Sequence, residues 1–246
     1  MAIILVLNEK GGVGKTTTAV NLAAGLAMRG REELIVDLDT QGNASSSLGI
    51  EKKSVLFEWL IQDMPLKNLA FNARPHLDVI RSDRTTSMLK TVMAGMSFRE
   101  LVLAKHLKGY EQFWDDVFLD CSPSFDLLHA AAMIAADLLI IPTAMDQFSV
   151  DGVMEVISSL HDIKEVTDSK CMLAGVIPIR YENRTRESHA QLKALAKACR
   201  GWVWPVVPQD TRVREAAREG KTLWEYPRGK ALEGYEMCLE KLMELI

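Results

Sequence analysis

The residues Lys10-Gly11-Gly12-Val13-Gly14-Lys15-Thr16-Thr17 restrict the fold of this chain more than any other stretch. They follow the unbroken apolar run Ile3-Ile4-Leu5-Val6-Leu7, whose β-branched content reads as a strand buried on both faces. They precede Ala19-Val20-Asn21-Leu22-Ala23-Ala24-Gly25-Leu26-Ala27, an Ala/Leu-rich run with helical character. A glycine-rich loop between a buried strand and a helix turns its backbone N–H groups inward. The helix N-terminus adds partial positive charge, so the arrangement suits phosphate.

The strict phosphate-loop pattern is G-x-x-x-x-G-K-[ST]. Here Asn8-Glu9-Lys10 precedes the shorter spacing, and the first glycine of that pattern is absent. Lys15 stands where a lysine reaches the β- and γ-phosphates, and the Thr16 hydroxyl where Mg²⁺ is held. A plain glycine-rich turn with two exposed lysines would leave the agreement of identities, spacing and flanking elements unexplained.

The loop resembles the deviant Walker A motif, K-G-G-x-G-K-[ST], of the ParA/MinD superfamily of P-loop ATPases. That resemblance implies ATP and Mg²⁺ as ligands, bound by Lys10, Gly11, Gly12, Val13, Gly14, Lys15, Thr16 and Thr17. It also implies that Lys10 reaches across a homodimer interface to the partner subunit's ATP. Glu33-Leu34-Ile35-Val36-Asp37-Leu38-Asp39 reads as a second buried strand ending in acid, followed by a polar loop from Thr40 to Gly49. In doubly wound sheets ligands meet the carboxyl ends of strands, which places Asp39 near the phosphates. The segment resembles the family's D-x-D-P-Q-G-N switch, with Thr40 for proline. By that resemblance Asp39 handles the attacking water, and Asp37 supports the strand end. Val117-Phe118-Leu119-Asp120 is an apolar strand ending in aspartate, so Asp120 is expected to hold Mg²⁺ through water opposite Thr16. Cys121-Ser122-Pro123-Ser124 resembles the second switch, and Cys121 lacks the basic neighbour a nucleophile needs.

The chain has 246 residues, enough for a substantial core, and no linker, repeat or low-complexity tract interrupts it, so residues 1–246 read as a single domain. Further strands are expected at Leu77–Arg81, Asp137–Pro142, Met172–Pro178 and within Trp202–Pro208, with helices at Val55–Ile61, at Ser97–Leu107 and from Lys230 to Ile246. The alternation predicts an α/β fold, a doubly wound and mainly parallel sheet with helices on both faces. Cys121, Cys171, Cys199 and Cys238 are widely spaced without a C-x-x-C, which removes support for zinc, redox or iron–sulfur sites. No apolar run approaches the roughly 18 residues of a membrane span, and the first one is too short for a signal peptide. His76 and His106 read as surface or cap residues. Met145-Asp146-Gln147-Phe148-Ser149-Val150-Asp151-Gly152 resembles the family's F-x-x-E-G segment, with Asp151 for glutamate, near the dimer face.

Net charge is −4, yet Arg180 to Lys230 holds 12 Lys/Arg against 6 Asp/Glu and leaves −10 on the rest. Such a basic segment suits an anionic partner or an ordinary solvated face, and charge alone does not choose. Two stretches in it resemble ParA-type motifs: Arg180-Tyr181-Glu182-Asn183-Arg184-Thr185-Arg186, and Pro208-Gln209-Asp210-Thr211-Arg212-Val213-Arg214-Glu215-Ala216. By that resemblance Arg184 and Arg212 contact non-specific double-stranded DNA in the ATP-bound dimer, Arg180, Arg186 and Arg214 add to that surface, and Pro208 lies in the segment facing adenine. The expected protein resembles the small ParA/Soj type, cytoplasmic and nucleoid-associated, with a ParB-type adaptor that stimulates hydrolysis. Two alternatives are a MinD-like membrane-surface ATPase, disfavoured by the acidic Glu240 and Glu244 of the tail, and a metabolic P-loop ligase of similar fold.

Overall fold

The structure is a computed structural model and describes residues 1–124, 126–147 and 149–246. In chain order the elements are β1 (Ala2–Val6), α1 (Lys15–Ala27), β2 (Glu33–Asp37), α2 (Asn43–Ser47), α3 (Leu56–Leu60), α4 (Leu66–Leu69), β3 (Phe71–Arg74), β4 (Leu77–Ile80), α5 (Thr86–Ala94), α6 (Val102–Leu107), β5 (Asp116–Asp120), α7 (Leu127–Ala135), β6 (Leu138–Ala144), α8 (Ser149–Val166), β7 (Met172–Tyr181), α9 (Arg186–Ala198), β8 (Val207–Pro208), α10 (Arg212–Arg218) and α11 (Lys230–Met243). The strands form one sheet in the order β3-β4-β2-β5-β1-β6-β7-β8, parallel throughout except for β3 on β4.

The unbroken apolar strands are explained by burial on both faces. Along β1 the side chains alternate: Leu5 joins Val36, Leu119 and Ile141 on one face, against α7 and α8, while Ile4 and Val6 join Ile35, Phe118 and Ile140 on the other, against α1 and α11. The central strands therefore need a helix layer on each side, as a doubly wound sheet provides.

Helix α11 closes the second layer. Leu232, Tyr235, Cys238, Leu239 and Leu242 are buried on α1 and the sheet, which fits the tail as a packed helix. Tyr235 shares a 3.1 Å hydrogen bond with the Thr18 hydroxyl of α1. Asn21 of α1 accepts from Leu223 N and, through its carbonyl, from Trp224 Nε1, both at 2.8 Å. Gly25 lets Trp224 and Leu239 approach, since a Cβ there would stand 2.6 and 2.7 Å from their side-chain carbons.

Four sequence expectations are corrected. The sheet has an eighth strand, β3, whose alternation is too short and too exposed to stand out. The polar stretch after Asp39 is not all loop, because α2 forms where Asp37 Oδ2 accepts from Ala44 N at 3.0 Å and Gly42 turns the chain at φ 59°. The Ser97–Leu107 helix is broken: Phe98 takes φ 54° and is 79% exposed, so a 3₁₀ turn over Arg99–Leu101 precedes α6. The last strand shrinks to two residues with a lone bridge at Val203, because Pro205 and Pro208 lack ladder donors and Trp204 lies over Gly175, donating from Nε1 to Ala174 O at 3.0 Å.

At the amino ends of β2 and β5, Glu33 and Asp116 are register partners and both are buried. Arg31 donates twice to Asp116 Oδ2, at 2.9 and 2.7 Å, and stands 3.6 Å from Glu33 Oε1. Burial and the adjacent Asp116 carboxylate outweigh Arg31 and raise the Glu33 pKa to about 10.

Candidate functional site

The register of three neighbouring strands builds the site. Val6 of β1 and Asp37 of β2 are both Cα partners of Asp120 at the end of β5. The loops leaving these strands must therefore converge: the glycine loop after β1, Asp39 after β2, and Ser122-Pro123 after β5.

In the glycine loop Gly12 and Gly14 take φ 72° and 73°, a conformation that L side chains rarely adopt. A Cβ on Gly14 would also stand 2.6 Å from Ile179 Cδ1. Helix α1 starts at Lys15 with no side-chain cap and no acidic residue in its first turn. Its orphan N–H groups and dipole are thus left for an external anion. Lys15 is 7% exposed, and its ammonium donates to Lys10 O at 2.9 Å. Burial pulls its pKa below the ordinary value, while Asp120 and Asp39 oppose that shift. Lys10 Nζ lies 2.5 Å from Asp146 Oδ2, and its backbone N–H donates to Asn8 Oδ1 at 2.9 Å. Asn8 in turn donates to Pro142 O at 3.0 Å, fixing the loop to β6. Val13 points into the core, so any contact it makes with a ligand comes from its backbone.

The carboxylates divide by their partners. Asp37 is saturated structurally, accepting from Asp39 N and Ala44 N at 3.0 Å each. Burial, with Asp120 beside it, pushes its pKa well above the usual carboxylate range. Asp39 faces the cleft and accepts from Gln41 N at 3.0 Å. Asp120 is fully buried, and neither carboxylate oxygen has a hydrogen-bond partner of good geometry among the described residues. Burial and Asp39 raise its pKa to about 7, against the Thr16 hydroxyl and Lys15. An orphaned carboxylate beside a hydroxyl and a phosphate loop fits a hydrated divalent cation that would supply its missing partners. The same burial raises the Cys121 thiol far above its usual value, so it stays protonated and is no nucleophile.

A cleft of about 600 Å³ opens over the loop, lined by Gly12, Gly14, Lys15, Thr16, Thr17 and Asp39 with Gln41, Asn43 and Pro123. An adjoining pocket of about 320 Å³ has an apolar wall of Ile179, Val207, Pro208, Val213 and Tyr235, and a polar wall of Arg180, Gln209, Asp210 and Arg214. Gly14 and Thr17 line both, so the two form one composite site for a phosphorylated ligand with a flat apolar part. The contribution of Tyr235, from α11, has no local sequence signal. Phe148 lies outside the described residues; of its segment, Asp151 is exposed and Gly152 faces Asn8.

The arginines separate. Arg184 and Arg186 are exposed at the start of α9, whose Thr185 cap accepts from Ser188 N at 3.3 Å. Arg212 is half-buried at the start of α10, 3.3 Å from Asp210. Arg180 and Arg214 are exposed and line the wall of the composite cleft, because β7 ends and α10 runs beside the glycine loop.

Comparison with known proteins places this geometry. An AAA domain family model matches residues 1–173. The chromosome-partitioning ATPase Soj of Thermus thermophilus is 33% identical over 98% of this chain and 94% of its own. The ATP complex of a McdA variant from Cyanothece superposes with a TM-score of 0.90 at 23% identity, over 99% of this chain and 96% of that one. The cobyrinic acid a,c-diamide synthase of Mycobacterium smegmatis with bound ADP and magnesium gives a TM-score of 0.84 at 25% identity, over 99% and 94%.

Proposed function

The chain belongs to the ParA/Soj family of P-loop ATPases, and we propose that it works as a DNA-based partitioning switch, driven by ATP-dependent dimerisation. It is an ATPase that binds nucleotide together with magnesium. The observation that carries the reading is the convergence of an uncapped α1 N-terminus and Lys15 with two carboxylates, Asp39 and Asp120, at the ends of adjacent parallel strands.

In this reading the base occupies the pocket beside Pro208, and the polyphosphate lies over Gly11 to Thr17. Lys15 and the α1 N–H groups bind the β/γ-phosphates. Thr16, with Asp120 through water, would hold Mg²⁺, which when bound neutralises charge on the β- and γ-oxygens. Asp39 orients a water for in-line attack on the γ-phosphorus, which releases phosphate and leaves ADP. Lys10 swings from Asp146 to the ATP of a second copy, so nucleotide bridges two subunits.

The dimer then binds duplex DNA without sequence preference through Arg184, Arg186 and Arg212. Arginine forks suit phosphate oxygens, and pairing two subunits doubles the phosphates neutralised and steepens the salt dependence. A ParB-type adaptor stimulates hydrolysis and resets the cycle. The test is DNA binding with and without ATP. Arg184→Glu with Arg212→Glu is expected to weaken binding on every sequence alike while ATP-dependent dimerisation persists. Binding that is independent of nucleotide, or unaltered by both charge reversals, refutes the DNA surface. A vesicle-binding assay with ATP separates the membrane alternative. DNA plus adaptor stimulating hydrolysis without any small-molecule substrate separates the ligase.

A further inference from the structure

Three arginines in the composite cleft are used by nothing above. Arg180 and Arg214 line both the phosphate cleft and the apolar pocket, and Arg218 lines the phosphate cleft beside Ser46 and Ser47. Arg214 and Arg218 stand four residues apart on α10, so they share a face of that helix. Arg180 meets them from the end of β7, held there in a left-handed backbone conformation with φ 53°.

No carboxylate pairs with them: among the described residues none of the three forms an ion pair or a side-chain hydrogen bond. Asp210 lines the smaller pocket with Arg180 and Arg214 but accepts from Arg212 and Ala231 N, Asp39 lines the cleft and accepts from Gln41 N, Glu219 accepts from Lys221 and Tyr226, and Glu215 is exposed on α10. Three like charges facing one cleft repel one another and are relieved by an anion. The 5′-phosphates already have Lys15 and the α1 N-terminus. A base in the apolar pocket and a 5′-chain in the phosphate cleft place the sugar where the two spaces join. Arg180 and Arg214 line that junction.

We infer that Arg180, Arg214 and Arg218 form a second anion site, which takes a phosphate carried on the 2′- or 3′-hydroxyl of the bound nucleotide. The ligand class is a nucleotide phosphorylated at both ends of its ribose. Guanidinium forks bind such a dianion through paired charge-assisted hydrogen bonds. The inference rests on the nucleotide reading of the cleft given above. It makes the arginines determinants of which nucleotide is preferred, separate from the machinery that holds the 5′-chain.

The experiment is calorimetric titration of the full chain with ATP, ADP, and ADP bearing one further phosphate on the 2′- or the 3′-hydroxyl. Either phosphorylated form is expected to bind about tenfold more tightly than ADP, the scale of one charge-assisted bidentate contact. In R180Q/R214Q/R218Q that preference is expected to fall to near one. The single variant Arg180→Gln, at an exposed position, is expected to lose part of it and guards against a folding defect in the triple variant. If ATP itself fails to bind, the nucleotide reading is wrong. If ATP binds but neither phosphorylated form gains over ADP, the second site alone is refuted. It is equally refuted if the triple variant weakens all the nucleotides by one factor, which makes the arginines 5′-phosphate ligands. It is also refuted if the variant loses DNA binding while the preference stays intact.

Discussion

The Lys10 ammonium lies 2.5 Å from the Asp146 carboxylate of its own chain, with both side chains about two-fifths exposed. If Lys10 is to reach a second copy's nucleotide, this contact must first break. A half-exposed pair of this kind contributes up to about 1 kcal/mol. Asp146→Asn is therefore expected to lower the protein concentration needed for ATP-dependent dimerisation by up to about thirtyfold, since two such pairs break in a symmetric dimer. Sedimentation or light scattering with ATP would read this directly. An unmoved or raised midpoint would exclude the pair as a latch.

Lys15→Ala is expected to reduce nucleotide affinity by at least about a hundredfold, since a buried cation at the mouth of α1 is lost. Gly14→Ala acts by another route. Its backbone conformation at φ 73° and the 2.6 Å approach to Ile179 Cδ1 should cost about 1–3 kcal/mol of stability and distort the loop. Calorimetry paired with thermal melts separates the two: the lysine variant keeps its melting point without nucleotide, and the glycine variant does not.

Asp39→Ala is expected to bind ATP and accumulate as dimer. Phosphate charge is met by Lys15 and the helix N-terminus, whereas Asp39 faces the cleft from the opposite loop and handles the water. Phosphate release should fall about a hundredfold while light scattering with ATP persists. Wild-type turnover in this variant would transfer the water-handling role to another group.

Glu33 makes stability depend on pH in a direction opposite to an ion-paired carboxylate with a lowered pKa. Its pKa rises from 4.5 unfolded to about 10 folded, so between those values the folded chain keeps a proton that the unfolded chain has released. Stability then falls as pH rises across the window, by up to about 3 kcal/mol at pH 7. Glu33→Gln keeps the neutral shape and removes this cost. Urea denaturation at pH 7.5 should show a gain of about 1–3 kcal/mol and a flatter profile from pH 5 to 8. An unchanged slope would mean that Glu33 is ionised in the fold.

The sheet could be read from the chain because β1, β2, β5 and β6 each carry an unbroken apolar run, and only burial on both faces explains such runs. The loop, Asp39 and Asp120 were legible for a related reason: each follows or ends one of those strands. What escaped was non-local or set by a single contact. Helix α2 depends on the Asp37 to Ala44 bond, and the Thr40–Gly49 composition conceals it. The break at Phe98 is one residue's backbone choice. Charge and motif mark Arg180 and Arg214 as candidate anion contacts, and which cavities they line is set by the placement of β7 and α10 beside the glycine loop.

The contact of Tyr235 with Thr18 has a consequence for biosynthesis. Strand β1 emerges more than a hundred residues before both of its neighbours, β5 and β6, and the wall of α1 is α11, later still. A growing chain therefore carries its phosphate loop unfinished until α11 has emerged. Nucleotide capture would then report that α11 has been made and docked, and fragments ending before it would be silent toward ATP.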